Sequence, residues 1–140
     1  MSSRAPTTAE ALLGVPTHGR ELAERVRAGF PIDVIQRLAG LSAFSPAELA
    51  GIIKIPHRTL QRRREAGVFS ATESDRLYRL STIVAAALDL FQGNAEHAKA
   101  WLCKPLRYLH DRRPIDMVDT GVEAEHMLTY ILQLEHGITP

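Results

Sequence analysis

Apolar residues recur along most of the chain at intervals of three and four, the spacing of helices that bury one face. The longest such stripe consists of Leu77, Leu80, Val84, Ala87 and Phe91. No stretch of useful length alternates apolar and polar residues as a half-buried strand would. The pattern therefore predicts an all-α fold.

Two short helices joined by a tight turn are predicted in the first half of the chain. Ser45 is a good N-cap residue, Pro46 suits the first helical position, and Glu48 completes a capping box. Pro56 forces the chain out of this helix, and a second helix follows over residues 57–66. The arrangement is that of a helix-turn-helix.

Caps, prolines and glycines mark the bounds of the other helices. Residues 1–19 carry no sustained periodicity, and we expect a flexible tail there with at most a short helical turn near residues 9–13. Two helices are expected to begin after a cap, at Thr72 with Asp75 at N3 and at Thr120. Three others are expected to begin at Pro31, Ala95 and Pro114. The expected helix ends are Gly40, Gly67, Gly93, Leu102 and Gly137.

The charge is unevenly distributed, although 17 basic and 16 acidic residues give a net charge of only +1. Residues 54–65 contain five basic residues and one acidic residue, whereas residues 66–140 contain seven basic and ten acidic residues. The first segment therefore has a net charge of +4 and the second of −3. Two surfaces of opposite sign suggest two different partners.

The basic segment coincides with the second helix of the predicted helix-turn-helix, the helix that enters the major groove in this class of DNA reader. Leu60 would face the core, so that His57, Arg58, Gln61 and Arg62 share the outward face. Arg58 and Gln61 are the better candidates for base contacts. The predicted DNA-binding residues are Lys54, His57, Arg58, Thr59, Gln61, Arg62, Arg63 and Arg64.

A simpler interpretation of the arginine run stays open. Cations at the end of a helix complement its dipole, so the run could be only a solvated helix end. In the DNA-binding interpretation, Arg63, Arg64 and Lys54 would contact phosphates, which adds affinity without sequence information.

Several function classes lack the residues they need. Cys103 is the only cysteine, which excludes an internal disulfide or a multi-cysteine zinc site, and the six histidines have no metal-ligand spacing. No glycine-rich phosphate loop or nucleophile–base pair occurs, so we expect neither an enzyme nor a cofactor. The longest wholly apolar run, 83–88, is far short of the roughly 20 residues of a membrane span. A cytoplasmic protein without a membrane partner is expected.

Several sequence segments, in their order along the chain from about residue 20 to the end, resemble the Xre/MbcA/ParS antitoxins. The first segments are similar to the DNA-binding half and linking helix of that family, and the later ones to its toxin-binding domain. The segments are Ser45–Ala50, Ile55–Arg64 with Gly67, Thr72–Leu80, Ala98–Leu102 with Pro105, Leu109 and Pro114, and Leu134–Ile138.

The resemblance implies a bacterial antitoxin that covers the active site of a RES-domain toxin acting on NAD⁺, by degrading it or transferring ADP-ribose from it. It also implies repression of the antitoxin's own operon by binding operator DNA. His110-Asp111 and Glu123 depart from the family, which commonly has small or glycine residues there.

The domains expected on this basis are a tail over 1–19, a helix-turn-helix domain over 20–70, and a linking helix with toxin-binding domain over 71–140. A homodimer is expected, because such readers bind paired half-sites, and it would assemble with toxin into a hetero-oligomer. The alternatives are a stand-alone helix-turn-helix regulator with a C-terminal dimerisation domain, and a toxin-binding protein whose DNA helix is vestigial.

The last predicted helix has apolar residues on more than one side. Such a helix either binds a protein partner or is buried in its own domain, and the sequence leaves both open. Under the resemblance, it would mask the toxin together with the residues that follow it. The predicted toxin-binding residues are Met127, Tyr130, Ile131, Leu134, His136, Gly137, Ile138, Thr139 and Pro140.

Overall fold

A computed structural model of the chain describes residues 5–16 and 19–137. These residues form eight α-helices and two 3₁₀ turns with no strand, which confirms the all-α prediction. The α-helices are α1 Ala9–Leu13, α2 Gly19–Ala28, α3 Asp33–Ser42, α4 Pro46–Ile52, α5 His57–Ala66, α6 Ala71–Leu90, α7 Ala95–Leu102 and α8 Gly121–Glu135, and the 3₁₀ turns are Arg107–Leu109 and Pro114–Asp116.

The longest helix, α6, is the centre of the fold. It packs against α1, α2, α3, α7 and α8, and its buried apolar residues belong to one continuous core. The predicted stripe is largely confirmed, since Leu77, Leu80, Val84 and Ala87 are buried while Phe91 is half-buried. No helix in the described part of the chain is long and apolar enough to cross a membrane.

The start of α6 differs from the prediction. Ser70, not Thr72, is the N-cap: its hydroxyl accepts a hydrogen bond from the Glu73 backbone N–H at 3.1 Å. The Glu73 carboxylate accepts in return from the Ser70 N–H at 2.8 Å. The longer glutamate can reach back across the first turn, so the box over 70–73 prevails over the Thr72–Asp75 pair. Asp75 instead forms an ion pair with Arg79.

The other boundaries mostly agree with the capping signals. The predicted capping box at Ser45 and Glu48 is present, and Gly67 ends α5 in the left-handed conformation at φ 85°. The exception is α3, which begins at Asp33 and continues through Gly40 to Ser42. Its C-cap is Ala43, at φ 65°. Gly40 continues this helix because a glycine permits a left-handed turn but does not impose one.

A short antiparallel contact joins the segment before α3 to the segment after α5. Pro31 pairs with Val68, and the Phe69 N–H donates to the Phe30 carbonyl at 2.9 Å. Gly29 has φ 91°, and a Cβ atom there would lie 2.2 Å from the Phe69 carbonyl oxygen. This close backbone approach requires glycine, so the end of α5 is held in a fixed position on the bundle.

Helix α1 is part of the core, contrary to the flexible tail expected over residues 1–19. Thr8 caps α1, and Leu12 and Leu13 are each only 2% exposed. Helix α1 packs against α3 and α6, and the Arg37 guanidinium donates to the Ala11 carbonyl at 2.9 Å. The turn near residues 9–13 therefore gains its stability from tertiary burial, since a single helical turn is marginal by itself.

Removal of the Leu12 side chain should test whether α1 contributes to the core. We expect Leu12→Ala to lower the free energy of unfolding by about 2–5 kcal/mol, because it leaves a cavity among buried side chains. Urea denaturation measures the change. The control is Glu10→Ala on the exposed side of the same helix, for which a change within about 0.5 kcal/mol is expected. Equal effects of the two variants would contradict a core role.

Candidate nucleic-acid and partner interfaces

Helices α4 and α5 form the predicted helix-turn-helix, joined by a turn over residues 53–56. Leu60 of α5 is 2% exposed, and it belongs to the same buried cluster as Leu49 and Ile53. The prediction that Leu60 faces the core is therefore confirmed. Burial of this one side fixes which residues of α5 point toward solvent.

The outward side of α5 presents a row of polar and basic side chains. His57, Arg58, Gln61 and Arg62 are exposed, as is Arg64 further along, whereas Thr59 is half-buried. The Gln61 amide lies 3.4 Å from the His57 ring, one turn earlier. The first turn of α5 contains no acidic residue, and Pro56 places no side chain over its N–H groups. The positive end of the helix dipole therefore adds to the charge of Arg58.

Arg63 lies on a different side of α5 and is engaged within the chain. Its guanidinium donates to both carboxylate oxygens of Glu73, at 2.7 and 3.1 Å. Burial disfavours the ionised carboxylate, but the hydrogen bonds from Arg63 and Ser70 outweigh it and lower the pKa of Glu73. The pair fixes α5 against the N-terminus of α6, a structural role that the arginine run alone did not reveal.

Two ion pairs connect the helix-turn-helix to the C-terminal half. In the turn, Lys54 has φ 63°, and its ammonium group lies 3.0 Å from the Asp119 carboxylate. Lys99 of α7 lies 3.0 Å from Glu48 of α4 and also donates to the Ala43 carbonyl. Lys54 is exposed but directed toward Asp119, so a phosphate contact would require it to exchange partners.

The described residues among those predicted to bind toxin fall into three groups according to how exposed their side chains are. Met127 and Ile131 are 1% and 0% exposed, so their side chains form this chain's own core and are not available as a contact surface. Tyr130 and Leu134 are half-buried. His136 caps the helix and Gly137 follows it at φ 74°, both exposed. The remaining predictions, Ile138, Thr139 and Pro140, lie outside the described residues.

A groove of about 350 Å³ lies between α8 and the preceding loop. The Tyr108 and Tyr130 rings form one side, stacked with centroids 4.4 Å apart. Tyr108 and His126 line this groove but were not among the residues predicted from the sequence. His126 and Tyr130 are one helical turn apart, and that spacing could have indicated a shared face. The lining residues are Tyr108, Leu109, His110, Arg112, Met117, His126, Met127 and Tyr130.

The loop before α8 is held by ion pairs around its arginines. Arg112 donates to the Glu123 carboxylate at 2.6 Å, and Arg113 donates to both oxygens of Asp116.

Burial raises the pKa of the nearby Cys103 thiol. Among the residues that the structure describes, no group of three or more His, Cys, Asp or Glu side chains could hold a metal ion.

Comparison with known families accounts for nearly all of the described chain. Residues 21–81 match the antitoxin Xre-like helix-turn-helix domain, and residues 86–137 match the antitoxin Xre/MbcA/ParS C-terminal toxin-binding domain. A Yersinia enterocolitica protein named Antitoxin Xre is 34% identical over 128 residues, covering 90% of this chain and 86% of the relative. The chain belongs to the Xre antitoxin family.

Two further relatives carry the same name. The Photorhabdus laumondii Antitoxin Xre is 31% identical over 90% of this chain and 86% of its own length. The Pseudomonas putida Antitoxin Xre is 33% identical over 91% of this chain and 80% of its own length. The two family matches meet within α6, so this antitoxin has a helix-turn-helix and a toxin-binding domain that share one helix.

Neutralising Glu73 should test the pair that fixes α5 in this antitoxin. Because folding lowers the pKa of Glu73, its ionised form contributes stability above the ordinary carboxylate pKa, and that contribution is lost as pH falls through the lowered value. We expect Glu73→Gln to lower the free energy of unfolding at pH 7, with the difference disappearing in acid. Urea denaturation at a series of pH values measures this.

Glu65→Gln provides the matched control, since it removes a carboxylate from an exposed position on α5. We expect the control to unfold within about 0.5 kcal/mol of the unmodified chain at pH 7. A Glu73→Gln deficit that persisted unchanged in acid would contradict an electrostatic origin.

Proposed function

We propose that this antitoxin neutralises a RES-domain toxin that degrades NAD⁺ or transfers ADP-ribose from it, and that it represses its own operon by binding operator DNA. It would act in the cytoplasm as a homodimer that assembles with the toxin into a hetero-oligomer. Neutralisation is steric and electrostatic: the C-terminal domain covers the cleft in which NAD⁺ would bind, and the antitoxin itself performs no chemistry.

The observation that carries this proposal is the pair of family matches in one chain, a DNA-reading domain over 21–81 and a toxin-binding domain over 86–137. A protein with both domains can bind toxin and DNA through separate surfaces. The charge distribution supports this division, because the net +4 segment over 54–65 lies in the first domain, while the remainder to residue 140 has a net charge of −3. DNA would attract the former and repel the latter.

The DNA-binding proposal assigns distinct tasks to the exposed residues of α5. Arg58 and Gln61 face solvent near the start of the helix, where recognition helices contact base edges, and they are the side chains suited to guanine and adenine. Arg62 and Arg64 extend the positive surface along the helix. Arg63 is left out of the base-reading group because it is already paired with Glu73.

The toxin-binding proposal places the contact at the exposed end of α8 and the residues after it. His136 and Gly137 end the helix and are exposed, so they can present residues 138–140 to a cleft. The buried Met127 and Ile131 support this end from beneath by packing α8 on α6. The stand-alone regulator remains the competing hypothesis, in which the C-terminal half would serve dimerisation alone.

The DNA-binding proposal predicts that truncation of single α5 residues weakens operator binding. We expect Arg58→Ala to reduce affinity for the upstream DNA by about 5- to 150-fold, the value of a good base contact. Arg62→Ala should weaken binding less and reduce its salt dependence, because it removes one charge from the positive surface. A gel-shift series at several salt concentrations measures the affinity.

Arg20→Ala provides a matched control, since it removes the same charge from an exposed position on α2. It should bind within about twofold of the unmodified chain. Unchanged affinity in both α5 variants would mean that the arginine run is only a solvated helix end. If the unmodified chain gives no specific shift, the protein would have a toxin-binding role without a DNA-binding one.

The toxin-binding proposal predicts that the residues after the last helix contribute to neutralisation. We expect truncation after Gly137 to weaken protection of cells that express the RES-domain toxin that the proposed function expects the adjacent open reading frame to encode, and to leave operator binding unchanged. Retaining His136 and Gly137 preserves the cap of α8, so the effect reports contact and not helix fraying. Deleting 136–140 should weaken protection further, and full protection by both truncated chains would contradict cleft blocking by this segment.

A further inference from the structure

The groove between α8 and the loop before it lies wholly inside the toxin-binding match. All eight lining residues fall between Tyr108 and Tyr130, within residues 86–137. Its lining residues do not include His136 or Gly137 at the end of α8, to which the proposed function assigns the toxin cleft. The groove is therefore a further candidate contact surface in the toxin-binding domain.

The composition of the groove is specific. Its floor is apolar, formed by Leu109, Met117 and Met127, and the stacked tyrosines form one wall. Its nitrogen donors are His110, Arg112 and His126. Arg112 already donates to the Glu123 carboxylate at 2.6 Å, so the exposed His110 and His126 are the donors that a ligand would meet.

The rim of the groove is formed by unusual backbone. His110 and Asp111 are consecutive non-glycine residues at φ 56° and 66°, in the left-handed region that side chains disfavour. The loop that holds them is closed by hydrogen bonds from the Asp111 N–H to the Leu106 carbonyl and from the Leu106 N–H to the Arg112 carbonyl. The His110 side chain is thereby placed on the rim at a conformational cost, which is common where a side chain has a binding role.

We propose that this groove is a docking site for a toxin segment that carries a carboxylate beside an apolar side chain. The inference deepens the proposed function and rests on it. The apolar residue would pack on the stacked tyrosine rings and Met117, and the carboxylate would accept hydrogen bonds from His126 and His110. The toxin is the favoured occupant because every lining residue lies within the match to a toxin-binding domain, and association of two copies of this chain is an outcome of the test.

Charge substitutions at His126 test the chemistry. The probe is the purified product of the adjacent open reading frame, which the proposed function expects to be a RES-domain toxin, titrated by calorimetry with the full antitoxin. We expect His126→Glu to weaken binding at least tenfold and His126→Lys to keep the affinity within about threefold or strengthen it. Thr129→Glu adds the same charge to an exposed position on α8 outside the groove and should stay within about threefold.

The strained rim offers a second pair of variants. His110→Gly and Asp111→Gly relieve the same kind of backbone strain, so both should retain or raise the melting temperature. Only His110 lines the groove, and we expect its substitution to weaken toxin binding at least fivefold while Asp111→Gly remains within about twofold. A folded variant with a selective loss of affinity cannot be explained by instability.

The outcomes separate the two proposals. Tight binding by the unmodified chain with His126→Glu and His110→Gly equally tight overturns the groove inference alone. A change in oligomeric state in these variants, measured by light scattering, with unchanged toxin affinity also overturns it, because the groove would then join copies of this chain. No binding of the RES-domain protein by the unmodified chain overturns the proposed function and the groove inference with it.

Discussion

The orientation of α5 depends on the polar junction at the N-terminus of α6. Glu73 accepts hydrogen bonds from Arg63 of α5 and from the Ser70 backbone, while the Ser74 hydroxyl accepts from the Phe30 N–H and donates to the Ser70 carbonyl. One turn of helix thus holds α5, the segment before α3 and its own cap. Because Glu73 and Ser74 are buried, losing any partner would leave a desolvated polar group, which is costly.

Helix α6 also fixes the position of the C-terminal half of the molecule. Beyond the junction, α6 buries Leu77, Leu80 and Ile83, and it forms its most extensive packing with α8. The Lys54–Asp119 and Lys99–Glu48 pairs add contacts between the halves that are largely exposed, and such pairs contribute little alone. The relative position of the two domains therefore rests on shared apolar burial, with the ion pairs setting details of the boundary.

The sequence predicted the elements whose signals are local. The capping box at Ser45, the left-handed Gly67 and the burial of Leu60 follow from spacing and residue type, and all are present. It could not separate Arg63 from its neighbours, because its partner Glu73 lies in the next helix. It also assigned α1 to a tail, since a five-residue helix has almost no periodicity and is stabilised by α3 and α6.

Because both domains share α6, the fold limits how the two domains can be recombined. A recombination event that joined a new DNA-reading domain to this toxin-binding domain would have to cut within a helix that is buried from both sides. Each fragment would expose half of a core stripe until its new neighbour supplied a fitting surface. The two halves of this antitoxin are therefore constrained to change together, and substitution of exposed α5 residues would disturb the shared core less than exchange of a whole domain.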